Sequence, residues 1–117
     1  MERLIKVILL AIFFMTTQAA HAALNVFSCE PEWGALVHEL GGDKVNVFNA
    51  TNAMQDVHHI EAKPSLVSQL RKADLVVCTG SELEIGWLPV LLRQAGNANV
   101  LSGKPGSFEA AHYVRML

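Results

Sequence analysis

The chain has 117 residues, nine basic and eleven acidic, for a net charge of −2 with histidine neutral. Its first 22 residues have the order of an export signal; without Arg3, Lys6 and Glu2, seven basic residues face ten acidic ones, a net of −3. Seven scattered cations exclude a sequence-independent nucleic-acid binder, which needs clustered Lys and Arg, and the remaining 95 residues suffice for one small domain and not for two.

Arg3 and Lys6 make a positive start, Val7 to Met15 is wholly apolar, Thr16, Thr17 and Gln18 are polar, and Ala20-His21-Ala22 is a small-residue cleavage site. The apolar run is too short for a hydrocarbon core of ~30 Å, which takes ~20 helical residues. Residues 1–22 are therefore expected to be a signal peptide cleaved after Ala22. The mature chain, 23–117, should lie outside the cytoplasm without spanning a membrane. The absence of a Cys near the cleavage site argues against a lipid anchor. Export permits a disulfide between Cys29 and Cys78. Their separation matches neither a metal ribbon nor C-x-x-C, so a bridge and two buried thiols both stay open.

In the mature chain, Leu24 to Cys29 reads as a strand. Pro31 suits the first turn of a helix, where its missing N–H is not needed. Trp33, Leu36, Val37 and Leu40 fall on one face of that helix, and Gly41-Gly42 ends it. Val45 to Phe48 predicts a second strand, 49–63 a polar loop, and Pro64 a second helix with Leu66, Val67, Leu70 and Ala73 on one face. Leu75-Val76-Val77-Cys78 is continuous apolar sequence, as in a strand covered on both sides. Pro89 would break a helix interior, so the third helix should start at Leu88 and close at Gly96. Asn99-Val100-Leu101 predicts a fourth strand and Lys104-Pro105-Gly106 a turn. Ser107 to Leu117 runs out on apolar residues without a polar tail, as an interrupted chain would. The order β-α-β-loop-α-β-α-β implies an α/β fold: a four-stranded parallel sheet with right-handed crossovers and helices on both faces. Ligands of such sheets bind beyond the carboxyl ends of the strands, here the loops after Cys29, Phe48 and Cys78.

The informative loop is Gln55-Asp56-Val57-His58-His59-Ile60-Glu61-Ala62-Lys63. Neutral imidazole is a common ligand for zinc and its neighbours, and its second nitrogen usually donates to a carboxylate or carbonyl, a role open to Asp56 or Glu61. Neighbours in an extended loop point to opposite sides, so His58 and His59 should offer one ligand rather than two. Two histidines do not close a metal site, and a solvated pair is the plainer reading of these residues alone. His38 and His112 read as structural. Catalysis has little support: no serine lies in G-x-S-x-G, there is no P-loop, and Glu82 and Glu84 read as acids compensating the dipole of the following helix.

Four segments in order carry a resemblance: Asp56-Val57-His58, Pro64-Ser65, Ala73-Asp74-Leu75-Val76-Val77 and Gly80-Ser81-Glu82-Leu83-Glu84. With Glu30-Pro31-Glu32-Trp33 and Leu40-Gly41-Gly42, they are similar to the periplasmic zinc- and manganese-binding components of bacterial ABC importers (cluster A-I, the ZnuA/TroA-like group). The resemblance implies a two-lobed solute-binding protein, of which 23–117 is the N-terminal, Rossmann-like lobe. It implies that His58, third in the family's D-P-H, is the first metal ligand, with Asp56 orienting the loop. His59 has no assured role, and Glu61 is a weaker candidate for supporting a ligand. It further implies Zn²⁺ as cargo, Mn²⁺ as the alternative, and an ABC permease as partner. Val57 stands where the family has Pro, which removes a fixed φ from the loop. The family's chains are more than twice as long, so the remaining ligands are expected beyond residue 117.

Three other readings compete with it, one of them a truncated, non-functional remnant. A siderophore, haem or corrinoid binder of the same design would use Trp33, Trp87 and arginines. A small exported α/β enzyme would use the Cys29 thiol or the Glu82/Glu84 pair.

Overall fold

The computed structural model describes residues 1–14 and 21–117. Helix α1, Glu2–Phe14, takes up most of the apolar stretch of the expected signal. The polar residues Thr16 to Gln18 and Ala20 of the cleavage tripeptide lie outside the described residues. Among the described residues no helix is long and apolar enough to cross a membrane.

The domain proper begins with strand β1, Leu24–Ser28, followed by helix α2, Pro31–Gly41, and strand β2, Val45–Asn49. Helix α3, Pro64–Arg71, leads into strand β3, Leu75–Cys78; helix α4, Leu88–Ala95, leads into strand β4, Ser107–Glu109. Pro31, Pro64 and Pro89 each sit in the first turn of a helix, where φ is already suitable and no N–H is missed. The four strands are parallel in the order β2-β1-β3-β4. β1 registers Phe27 beside Phe48 on one side and Val76 on the other. With right-handed crossovers, the step from β1 to β2 runs opposite to the steps toward β3 and β4, so α2 covers one face and α3 with α4 the other. The chain reverses its direction across the sheet between β1 and β3, at whose carboxyl ends an open α/β sheet leaves its crevice.

The two faces are packed unequally. Phe27, Cys29, Val76 and Cys78 alternate onto the α3/α4 side, where they meet Leu66, Leu70, Ala73, Trp87, Leu91, Ala95 and Val100 in one buried cluster. The predicted inward face of α3 is thus the buried one. Helix α2 differs from expectation. Its buried residue is Gly34, while Leu36 is half exposed and Leu40 is 79 % exposed. A Cβ at Gly34 would collide with the Asn49 side chain, so the helix approaches β2 along its narrowest side and its leucines face outward.

The fourth strand is also displaced. Asn97 to Leu101 does not pair; Ala98–Val100 is a 3-10 turn whose Val100 is buried, and Ser107–Glu109 pairs with β3 instead. The alternation of Ser107, Phe108 and Glu109 is too short to stand out as a strand in sequence. Val100 is apolar because it plugs the core, not because it belongs to the sheet.

Candidate metal centre

β2 ends at Asn49, and the chain turns over the carboxyl edge of the sheet through Thr51, whose buried hydroxyl donates to the Cys29 carbonyl at 2.8 Å. The loop then folds on itself. Asp56 Oδ1 accepts the His58 backbone N–H at 3.0 Å and lies 2.9 Å from His58 Nδ1; Asp56 Oδ2 lies 2.9 Å from His59 Nδ1. The Asp56 carbonyl accepts the His59 N–H at 3.0 Å, which closes the turn. Hydrogen bonds from His59 and then His58 hold the Asp56 carboxyl well below the usual carboxylate range. An ionised carboxylate only accepts, so each ring in its neutral form carries its proton on Nδ1 and leaves the Nε2 lone pair free. That is the tautomer a metal ligand needs. The side chains of His58 and His59 are 62 % and 83 % exposed, so these lone pairs are accessible.

The expected divergence of the two histidines is not what the loop does. It turns at Asp56 rather than running extended, and both rings fall on the same carboxylate with centroids 6.4 Å apart. Of the two acids that could hold a ring nitrogen, Asp56 does so. Glu61 instead lines an open cleft with His59, Gln55 and Ser65, and His58 is not part of that cleft's wall.

A second polar group lies under the loop, at the crevice between β1 and β3. Cys29 and Cys78 are joined as a disulfide across these strands, with Cα atoms 4.9 Å apart. Glu84 lies close to both sulfurs, but a disulfide has no thiolate to offer a metal. The bridge also removes the Cys29 thiol, one of the two chemistries open to the enzyme reading. Glu84 does not compensate the dipole of α4, as its spacing suggested. The chain after β3 makes a turn through Ser81 and Glu82 at φ of 54° and 70°, which returns the buried Glu84 carboxylate to the N–H groups of Thr79 and Gly80. Glu30 joins it: Glu30 Oε2 accepts from the Thr79 hydroxyl at 3.1 Å, and that hydroxyl accepts from Trp33 Nε1 at 2.8 Å. Burial, then the hydrogen bond and charge of Glu84, push the Glu30 carboxyl up to about 8. Sequence reading gave Thr79 no role, Glu30 only a place at the opening of a helix, and Trp87 a role only in the competing reading of a larger ligand; the signal in Trp87, a large aromatic just ahead of an apolar helix, reads equally well as core.

The sequence profile of a family described as "Zinc-uptake complex component A periplasmic" (ZnuA) matches residues 26–112. The chain is 30 % identical over 83 residues to the manganese ABC transporter substrate-binding lipoprotein scaA of Streptococcus gordonii, covering 68 % of this chain and 27 % of that protein. A solved structure of ZnuA superposes with a TM-score of 0.58 at 28 % identity, over 64 % of this chain and 28 % of that one. The manganese-bound periplasmic metal-binding protein of Candidatus Liberibacter asiaticus shares the fold at a TM-score of 0.56 and 22 % identity, over 71 % of this chain and 29 % of that one. The chain therefore spans little more than a quarter of the length of the relatives it matches.

Proposed function

The chain belongs to the ZnuA family, and from that premise we propose that it is the N-terminal lobe of a two-lobed extracytoplasmic protein that captures a divalent transition metal for an ABC permease. Residues 1–22 are the export signal in this reading, cleaved after Ala22, and 23–117 are the lobe, which binds and does not catalyse. His58 is the ligand this lobe contributes. The observation that supports a ligand in this loop is the Asp56 carboxylate, which holds the Nδ1 of His58 and of His59 at 2.9 Å and turns each Nε2 outward; His58 is preferred to His59 because it is third in Asp56-Val57-His58, the position the family resemblance gives to the first ligand. A metal of the zinc type needs about three or four protein ligands. The others belong to chain beyond Leu117, and this lobe alone holds the ion weakly. Zn²⁺ is the preferred cargo because imidazole suits it better than it suits Mn²⁺, which favours oxygen. Mn²⁺ is the second choice, kept by the manganese transporter among the relatives.

The test is a Zn²⁺ titration of the chain followed by the histidine imidazole resonances. His58→Ala should abolish the zinc-dependent shifts, and His59→Ala should reduce them by a smaller factor. Equal losses from both substitutions would show that the exposed pair, rather than His58, is what zinc meets.

A further inference from the structure

Asp56 fixes the two imidazoles relative to itself, but nothing in that fork fixes the loop relative to the sheet. Among the described residues, the hydrogen bonds of residues 52–60 are local to the loop: Asn52 with Gln55, Met54 with Asn52, and His58 and His59 with Asp56. The exception is donated from outside. Trp87 Nε1 gives its N–H to the Val57 carbonyl at 2.7 Å across 30 residues of sequence. Trp87 is 1 % exposed and its ring belongs to the core cluster, so its two side-chain torsions are set by packing. An indole N–H buried at that position has to find an acceptor. The neighbouring residue meets the next carbonyl: a Cβ on Gly86 would stand 2.9 Å from the His58 carbonyl oxygen. Two successive carbonyls, those of Val57 and His58, thus rest on two successive residues, Trp87 and Gly86.

We propose that Trp87 is the positioning residue of the metal-binding loop, its indole N–H fixing the backbone from which His58 is presented, with Gly86 leaving the room for that approach. The inference rests on the reading of His58 as a metal ligand. Its physical content is the transfer of rigidity. Val57 has no ring to fix its own φ. A tether on the carbonyl just before His58 does instead what a ring would do from within. Outer partners that orient a ligand typically change metal affinity by 10–100-fold when removed.

Trp87→Phe keeps an aromatic ring in the core and deletes the donor. In the full chain without metal, it should speed amide hydrogen exchange at His58 and His59 and broaden the His58 imidazole signals, with far-UV circular dichroism unchanged. Its affinity for Zn²⁺ alone, titrated as above, should fall about tenfold. Gly86→Ala attacks the same contact from an exposed position and should give the same pattern; it carries the test if Trp87→Phe does not fold. Wild-type exchange and affinity in a folded Trp87→Phe chain, or in Gly86→Ala where that carries the test, would reduce Trp87 to a core residue and overturn the proposal. If instead His58→Ala leaves zinc binding intact, the ligand reading fails, while the exchange rates of the metal-free variants still decide whether the tether exists.

Discussion

Glu30 is a carboxyl group that the fold keeps protonated. It is buried, its Oε1 has no partner among the described residues, and Glu84 is close by, so its pKa stands at about 8 rather than the ordinary 4.5. A folded pKa above the unfolded one makes the folded state hold the proton more tightly. The stability this provides is complete below about pH 4.5 and is lost as pH rises toward 8. Glu30 alone should therefore tilt stability downward over that window by about 1.4 kcal/mol per pH unit at most. Glu30→Gln, a neutral group of the same shape, should flatten the profile; urea midpoints at pH 5 and pH 8 read the difference directly. An unchanged slope would mean that Glu30 is not the titrating group. Nothing at residue level announced this pair. Glu30 stands before a helix-opening proline, and only the pairing of β1 with β3 puts it beside Thr79 and Glu84.

Among the elements, the end of α3 and the turn after α4 depend on a side chain that composition marks only as a loop residue. Asn97 Nδ2 donates to the carbonyls of Leu70, Arg71 and Ala73 at 3.0, 3.3 and 2.8 Å, which closes the C-terminal end of α3. Its Oδ1 accepts from the Asn99 N–H and starts the 3-10 turn that buries Val100. Asn97→Ala removes these contacts, leaving the Leu70 carbonyl to its backbone donor from Ala73, and should cost about 2 kcal/mol of unfolding free energy by chemical denaturation. The same device explains the misplaced fourth strand. A turn nucleated by Asn97 competes with strand formation at 99–101, and the pairing edge of β3 is then free for Ser107–Glu109. Helix boundaries were legible because three prolines mark three first turns. The face of α2 was not, because Gly34 sets its approach to β2 and glycine carries no hydropathic signal.

For the whole molecule, the disulfide ties β1 to β3 at the crevice and closes a separation of 49 residues. Chain-entropy reasoning gives such a cross-link about 4 kcal/mol, drawn from the unfolded state. Reduction should lower the urea midpoint accordingly. Retained stability in dithiothreitol would mean that packing around Cys29 and Cys78 suffices without the bond. The surface is unevenly finished. Leu36 and Leu40 on α2, and Tyr113, Val114 and Met116 after β4, are exposed. Apolar surface of this kind is what a lobe would place against a second lobe.

The fold class, the helix starts and the buried face of α3 were legible in the sequence by itself, and each rests on local chemistry: proline in a first turn and a 3.6-residue apolar period. His58 stood out from His59 only through the family resemblance carried by Asp56-Val57-His58. The tertiary structure alone decided which acid holds the imidazoles, which residue seats their loop, and which strand completes the sheet. It also decided that Glu30 keeps a proton and that two cysteines bond. These are relations between residues about 20 to 50 positions apart or more, and sequence periodicity does not reach that far. The exception, Asp56 gripping both His58 and His59, is local in sequence yet depends on a turn that the polar residues around it permit without specifying.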